Sequence, residues 1–154
     1  MASIGMLSVE DQSAIEEHLK DFLGKAESQW AALVDRGGNL FAEHGETGPL
    51  DMTILCALAA GSFSATRELA KRLGEDEFTA LYHEGKGVSI LMTALDHECL
   101  LVTVFSDQTN IGLVRFYSQQ ISPQLNEVLK KASEAPDDGL KIDAEFNEGG
   151  AIIS

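Results

Sequence analysis

Few side chains in this sequence are arranged for chemistry. Its four histidines, His18, His44, His83 and His97, are scattered through the chain, with no H-E-x-x-H pair and no clustered carboxylates to complete a zinc site. No metal and no cofactor is therefore expected. Residues 84–87 read EGKG, the core of a phosphate loop, but such a loop needs a glycine where Ala80 stands and a Ser or Thr where Gly87 stands. EGKG is instead a hairpin turn. There is no G-x-S-x-G elbow, and neither Cys56 nor Cys99 has a base at recognisable spacing; both lie in apolar runs and read as buried thiols rather than a disulfide. Arg67, Arg72 and Arg115 remain as candidate arginine fingers. Of these only Arg67 has the setting a finger needs, and an ion pair with Glu68, Glu75 or Asp76 is the simpler use for it. No catalytic residue is assigned.

Composition narrows the classes further. The 154 residues carry a formal net charge of −14, with 44% hydrophobic residues, so one domain with a real core fits the length. The acidic excess is spread along the chain and densest per residue at the C-terminal end, which argues against nucleic acid and against an anionic membrane surface. The N-terminal MASIGMLSVEDQ lacks a basic region and an apolar core, and the longest uncharged run is too short to span a bilayer. A cytoplasmic chain is expected.

The elements that position these residues follow from pattern and punctuation. Ser8 and Asp11 cap a first helix over 9–26, with Ile15, Leu19, Phe22 and Ala26 at helical spacing. WAALV, DRGGN and LFA read as strand, turn and strand, and the nearly unbroken apolar run of the first predicts cover on both faces of its sheet. Asp51 is a good N-cap and Gly74 a good terminator for a second helix over 52–73. Three strands follow at 78–83, 88–95 and 99–105, joined by short hairpin connections. A last helix begins near Thr109 or Asn110, with an apolar side of Val114, Tyr117, Ile121, Leu125, Val128 and Ala132, and Pro123 predicts a kink near 119–123. Residues 1–133 are read as one domain. Residues 134–154 are read as an acidic, flexible tail in which only Leu140, Ile142 and Phe146 offer apolar contacts. Five antiparallel strands with helices on both faces make a three-layer α/β sandwich.

The second helix is unusual in having two apolar stripes. With Asp51 at zero on a wheel of about 100° per residue, Ile54, Leu55, Leu58, Ser62, Ala65, Leu69 and Leu73 fall at about 300° to 40°. This stripe is assigned to the sheet. Met52, Cys56, Ala59, Phe63 and Ala70 form another, centred near 110°, which needs a further surface; in a symmetric protein a second copy supplies it. The third arc holds Thr53, Ala57, Ala60 and Ser64, followed by Arg67, Glu68 and Lys71. Its first turns are uncharged and small, as in a surface on which a partner docks closely, although loops packed over it would use the same residues.

LVDRGGNLFAEHG, DMTILCALAAGSFSATRELAKRLGEDEF, YHEGKGVSILMTAL and TNIGLVRFYSQQ together resemble the Roadblock family of dynein-associated light chains, and within it the bacterial MglB-like GTPase-activating regulators. The resemblance covers about residues 9 to 133. It implies an α-β-β-α-β-β-β-α domain with one helix on one face of the sheet and two on the other. It further implies a homodimer in which the third strands pair edge to edge, joining two sheets into one of ten strands. Met52, Cys56, Ala59 and Phe63 of the second helix and Phe78, Ala80 and Tyr82 of the third strand would then lie at the dimer interface. The partner implied is a Ras-like small GTPase of the MglA type, bound by Thr53, Ala57, Ala60, Ser64, Arg67, Glu68 and Lys71 and stimulated without an inserted arginine, in motility or polarity control. Glu68 beside Arg67 makes that face bulkier than the small residues often found there. Two other classes are compatible with such a fold: an adaptor that positions a GTPase or promotes exchange, and a small-molecule sensor, which would need a ligand cavity.

Overall fold

The signals that start and stop each helix act where the sequence places them. Ser8 Oγ accepts from the Asp11 N–H, and Asp51 Oδ1 accepts from the N–H groups of Thr53 and Ile54 at 3.0 and 3.3 Å, satisfying donors that a helix start leaves orphaned. Gly74, at φ +88°, closes the second helix: its N–H donates to the Lys71 carbonyl and the Glu75 N–H to that of Ala70. This pair of bonds is a Schellman motif.

The computed structural model describes residues 7–134, and the tail expectation therefore lies outside the described residues from 135 onward. The elements are α1 (Val9–Ala26), β1 (Trp30–Asp35), β2 (Leu40–Gly45), α2 (Met52–Arg72), β3 (Ala80–His83), β4 (Val88–Ala94), β5 (Cys99–Ser106) and α3 (Ile111–Ser133). All five strands are antiparallel to their neighbours, in the order β2-β1-β5-β4-β3. This is the architecture expected. Phe78 and Thr79 precede β3 rather than belonging to it, though the Ala94 N–H still donates to the Thr79 carbonyl.

WAALV of β1 is buried on both faces because alternate side chains enter two different cores. Ala31 and Leu33 join Leu91, Leu101 and Phe105 beneath α1 and α3. Trp30, Ala32 and Val34 join Met92, Leu100, Val102 and Val104 beneath α2. Cys99 lies in the first core and Cys56 in the second, so the sheet separates the two thiols and both are free.

α3 runs as one helix through Pro123, the residue at which the sequence predicts a kink. The proline removes the N–H that the Gln119 carbonyl would receive. Just upstream, the Ser118 and Ser122 hydroxyls donate to the Val114 and Ser118 carbonyls, each at 2.7 Å. Leu129, missing from the predicted apolar side, is fully buried, whereas Tyr117, Val128 and Ala132 sit at its margins.

Candidate functional site

α2 packs on its sheet through the stripe expected to face a partner. Met52, Cys56, Ala59, Ala60 and Phe63 are the residues it buries. The stripe assigned to the sheet points away from it: Ile54 is 57% exposed, Leu58 65%, Leu69 59% and Leu73 74%, with Ser62 and Ala65 also exposed and only Leu55 half-covered. Both sheet-side expectations are thus corrected. The physical reason lies in the volume already present on the sheet. Trp30, Met92, Leu100 and Val102 fill the space under the helix, so the middle of its inner face must be small: Cys56, Ala59 and Ala60 fit there, with the larger Met52 and Phe63 at the two ends of that face, while a row of leucines would hold the helix off.

The β1–β2 turn tightens this contact. Asp35 Oδ1 accepts from the backbone N–H groups of Gly37 and Asn39, folding the turn back, and Gly38 (φ +88°) comes against the backbone of Ala57. On the other side, Phe63 meets the Phe78 ring at 4.9 Å between centroids. Sheet-facing residues, turn and ring together fix the rotation of α2 about its axis.

The predicted interface residues separate accordingly. Met52, Cys56, Ala59 and Phe63 belong to the protein's own core and are not available to a second copy. Phe78 and Ala80 are half-buried. Tyr82 is exposed on β3 and stacks at 6.1 Å on Phe105, on the α1–α3 side of the sheet. β3 is an edge strand, pairing only with β4. Of the predicted docking arc, Thr53, Ala57, Glu68 and Lys71 are exposed and lie on one flank of α2. Ala60 is not part of it, being 1% exposed beneath the helix. Ser64 and Arg67 turn toward the β4–β5 hairpin, and neither Glu75 nor Asp76 is the partner of Arg67. Its Nη2 donates to Glu98 Oε1 at 3.3 Å and its guanidinium lies 5.8 Å from the Phe63 ring centroid, while Glu68 pairs with Arg72.

What sequence reasoning missed is the outward aliphatic row, Leu50, Ile54, Leu58, Leu69 and Leu73. The signal was present as the larger of the two stripes, but its direction was not. Exposed apolar rows of this extent mark interaction surfaces. Titration adds nothing to this face. The perturbed groups are buried thiols: Cys56 is pushed up to about 11 by burial and the Glu43 charge, and Cys99 to about 12 by burial with Asp35 and Glu98 nearby. Among the described residues no group of three or more His, Cys, Asp or Glu could hold a metal, and no helix is long and apolar enough to cross a membrane.

Residues 14–105 match the Roadblock/LC7 domain. The fold superposes on Myxococcus xanthus MglB with a TM-score of 0.78 and 32% identity, covering 86% of this chain and 99% of that one. A gliding protein MglB of Thermus thermophilus gives a TM-score of 0.78 at 26% identity, over 85% and 99% of the two chains. An uncharacterized protein of Aquifex aeolicus is 26% identical over 141 residues, 90% of this chain and 87% of its own. With a family match over residues 14–105 and its fold in common with these relatives, the chain belongs to the Roadblock/LC7 family and is MglB-like within it.

Proposed function

We propose that this chain is a non-enzymatic, homodimeric regulator that binds a Ras-like small GTPase of the MglA type and stimulates its GTP hydrolysis, in bacterial motility or polarity control. The observation that carries the reading is the outward aliphatic row of α2 in an MglB-like domain. A single copy leaves that row in water, together with the open edge of β3.

A second copy added at the β3 edge answers both. Ala57 is backed by the β1–β2 turn, so the opposite flank of α2, bearing Leu55, Leu69 and Leu73, lies toward β4 and β3. In this reading those residues, with Phe78, Ala80 and Tyr82, replace Met52, Cys56, Ala59 and Phe63 as the dimer contacts. The outward face, with Ile54, Leu58, Gly61 and Ala65 beside Thr53, Ala57, Glu68 and Lys71, then forms the GTPase platform. Small residues at 57, 61 and 65 allow close approach of another backbone. Arg67 is held by Glu98 at the side of the helix, so the GTPase relies on its own catalytic groups and this chain acts by arranging them.

The decisive measurement is GTP turnover by a Ras-like GTPase from the same genome, alone and with saturating full-length chain. Acceleration supports the reading. Saturable binding without acceleration identifies a scaffold, and absence of binding at micromolar concentrations removes GTPase regulation altogether.

A further inference from the structure

Beside the C-terminal half of α2 lies a cavity of about 420 Å³, walled by α2, the β1–β2 turn and the β4–β5 turn. Phe63 and Leu100 give it an apolar lining, and Ser64, Arg36, Arg67 and Glu98 supply its polar groups. Its size and its mixture of apolar wall and few convergent polar groups are those of a small-ligand site.

The polar groups converge on one atom. Arg36 Nη2 forms an ion pair with Glu98 Oε1 at 2.7 Å, and Arg67 Nη2 donates to the same oxygen at 3.3 Å. Two guanidiniums from separate segments thus hold one carboxylate oxygen. Each guanidinium has five N–H donors, and among the described residues Glu98 is the only carboxylate paired with either one. The chain has four arginines, and two of them are spent here.

The carboxylate is delivered by a turn that departs from its best sequence. His97 and Glu98 both have φ near +60°, with the Cys99 N–H donating to the Asp96 carbonyl at 3.2 Å and the Leu95 N–H to the Cys99 carbonyl at 2.8 Å. This two-residue hairpin geometry favours Asn-Gly; His-Glu is strained in it. The buried Nδ1 of His97 has no hydrogen-bond partner in the protein, so that nitrogen gives the turn no compensating bond. Such backbone strain concentrates at binding and switch sites.

We propose that this cavity binds a small molecule bearing a carboxylate or phosphate oxyanion on an apolar body, the oxyanion displacing Glu98 from the two guanidiniums. Asp96 and Glu98 balance Arg36 and Arg67, so an anion simply added to the cavity gains no net attraction. One that replaces the Glu98 carboxylate keeps the charge-assisted bonds and frees the strained turn. Glu98 is then an internal competitor, and its removal should tighten binding rather than weaken it. The site is separate from the GTPase reading and stands without it.

The test is an amide chemical-shift titration of the ¹⁵N-labelled full chain with sodium benzoate and, in a second arm, inorganic phosphate, each against sodium chloride at matched ionic strength. Saturable shifts at Gly37, Ser64, His97 and Glu98 are expected, the better arm identifying the anion. Glu98→Gln should tighten binding about fivefold, and Arg36→Ala or Arg67→Ala should weaken it about tenfold, in keeping with loss of one charged hydrogen bond at a half-exposed site. Arg67→Lys, which keeps the charge but not the fork, serves where Arg67→Ala perturbs the spectrum globally, and should also weaken binding. Shifts no larger than those of chloride, unchanged affinity in the arginine variants, or weaker binding by Glu98→Gln would each overturn the proposal.

Discussion

Gly38 in the β1–β2 turn rests directly on the backbone of Ala57 in α2. A Cβ at Gly38 would lie 2.6 Å from Ala57 Cα and 3.0 Å from its nitrogen, and the glycine has φ +88°. Strain and clash therefore add at this position. Gly38→Ala should lose about 2–4 kcal/mol of stability, from an L-residue in the left-handed region together with overpacking against main chain. Gly74 has the same φ but nothing within 4 Å, so Gly74→Ala should lose only about 1 kcal/mol. Urea unfolding followed by far-UV circular dichroism compares the two, and equal losses would show that turn and helix are not in contact.

The rotation of α2 is open to a direct test. Ala60→Arg places a charge beneath the helix and should cost about 3 kcal/mol or more, leaving little folded protein. Leu69→Glu and Leu73→Glu act on exposed side chains and should leave helix content and fold intact while weakening self-association, as read by sedimentation at micromolar concentration. A well-folded Ala60→Arg alongside unfolded leucine variants would reverse the assignment of the two faces.

Both thiols link stability to alkaline pH. Their folded values, about 11 for Cys56 and about 12 for Cys99, lie above the ordinary 9.0, so the unfolded chain loses these protons first. The stabilisation from keeping them neutral is complete below pH 9 and is lost as pH rises through 11 and 12. Stability should fall by about 1.4 kcal/mol per pH unit for each thiol in that window. Cys56→Ala should make the decline of unfolding free energy above pH 9 about half as steep; an unchanged slope would remove that thiol from the linkage.

Trp30, the chain's single tryptophan, is fully buried, and its Nε1–H donates to Glu43 Oε1 at 2.8 Å across the β1–β2 pair. Glu43→Ala strands a buried donor and should cost about 1–3 kcal/mol, whereas Glu43→Gln retains an acceptor and should cost less. Tryptophan emission and urea midpoints of the two variants measure this directly. Equal costs for Ala and Gln would show that the indole does not depend on this acceptor.

Local chemistry determined most of the fold. Asp51 and Gly74 bound α2 because a capping carboxylate and a left-handed glycine satisfy groups belonging to their own few residues, and the run WAALV declared a strand covered on both faces. The two apolar stripes of α2 were equally legible, but periodicity gives their angular separation and not which one meets the sheet. That choice was decided by volumes contributed from elsewhere: Trp30, Met92 and Val102 under the helix, and Gly38 against Ala57. The same holds for Arg67. Its sequence neighbours offered several carboxylates, yet the fold brings Glu98 to it from a hairpin turn far along the chain, where Arg36 also arrives. Caps and turns are short-range and readable one segment at a time, whereas the facing of a two-striped helix and the partner of a long side chain depend on surfaces that exist only once the sheet has formed.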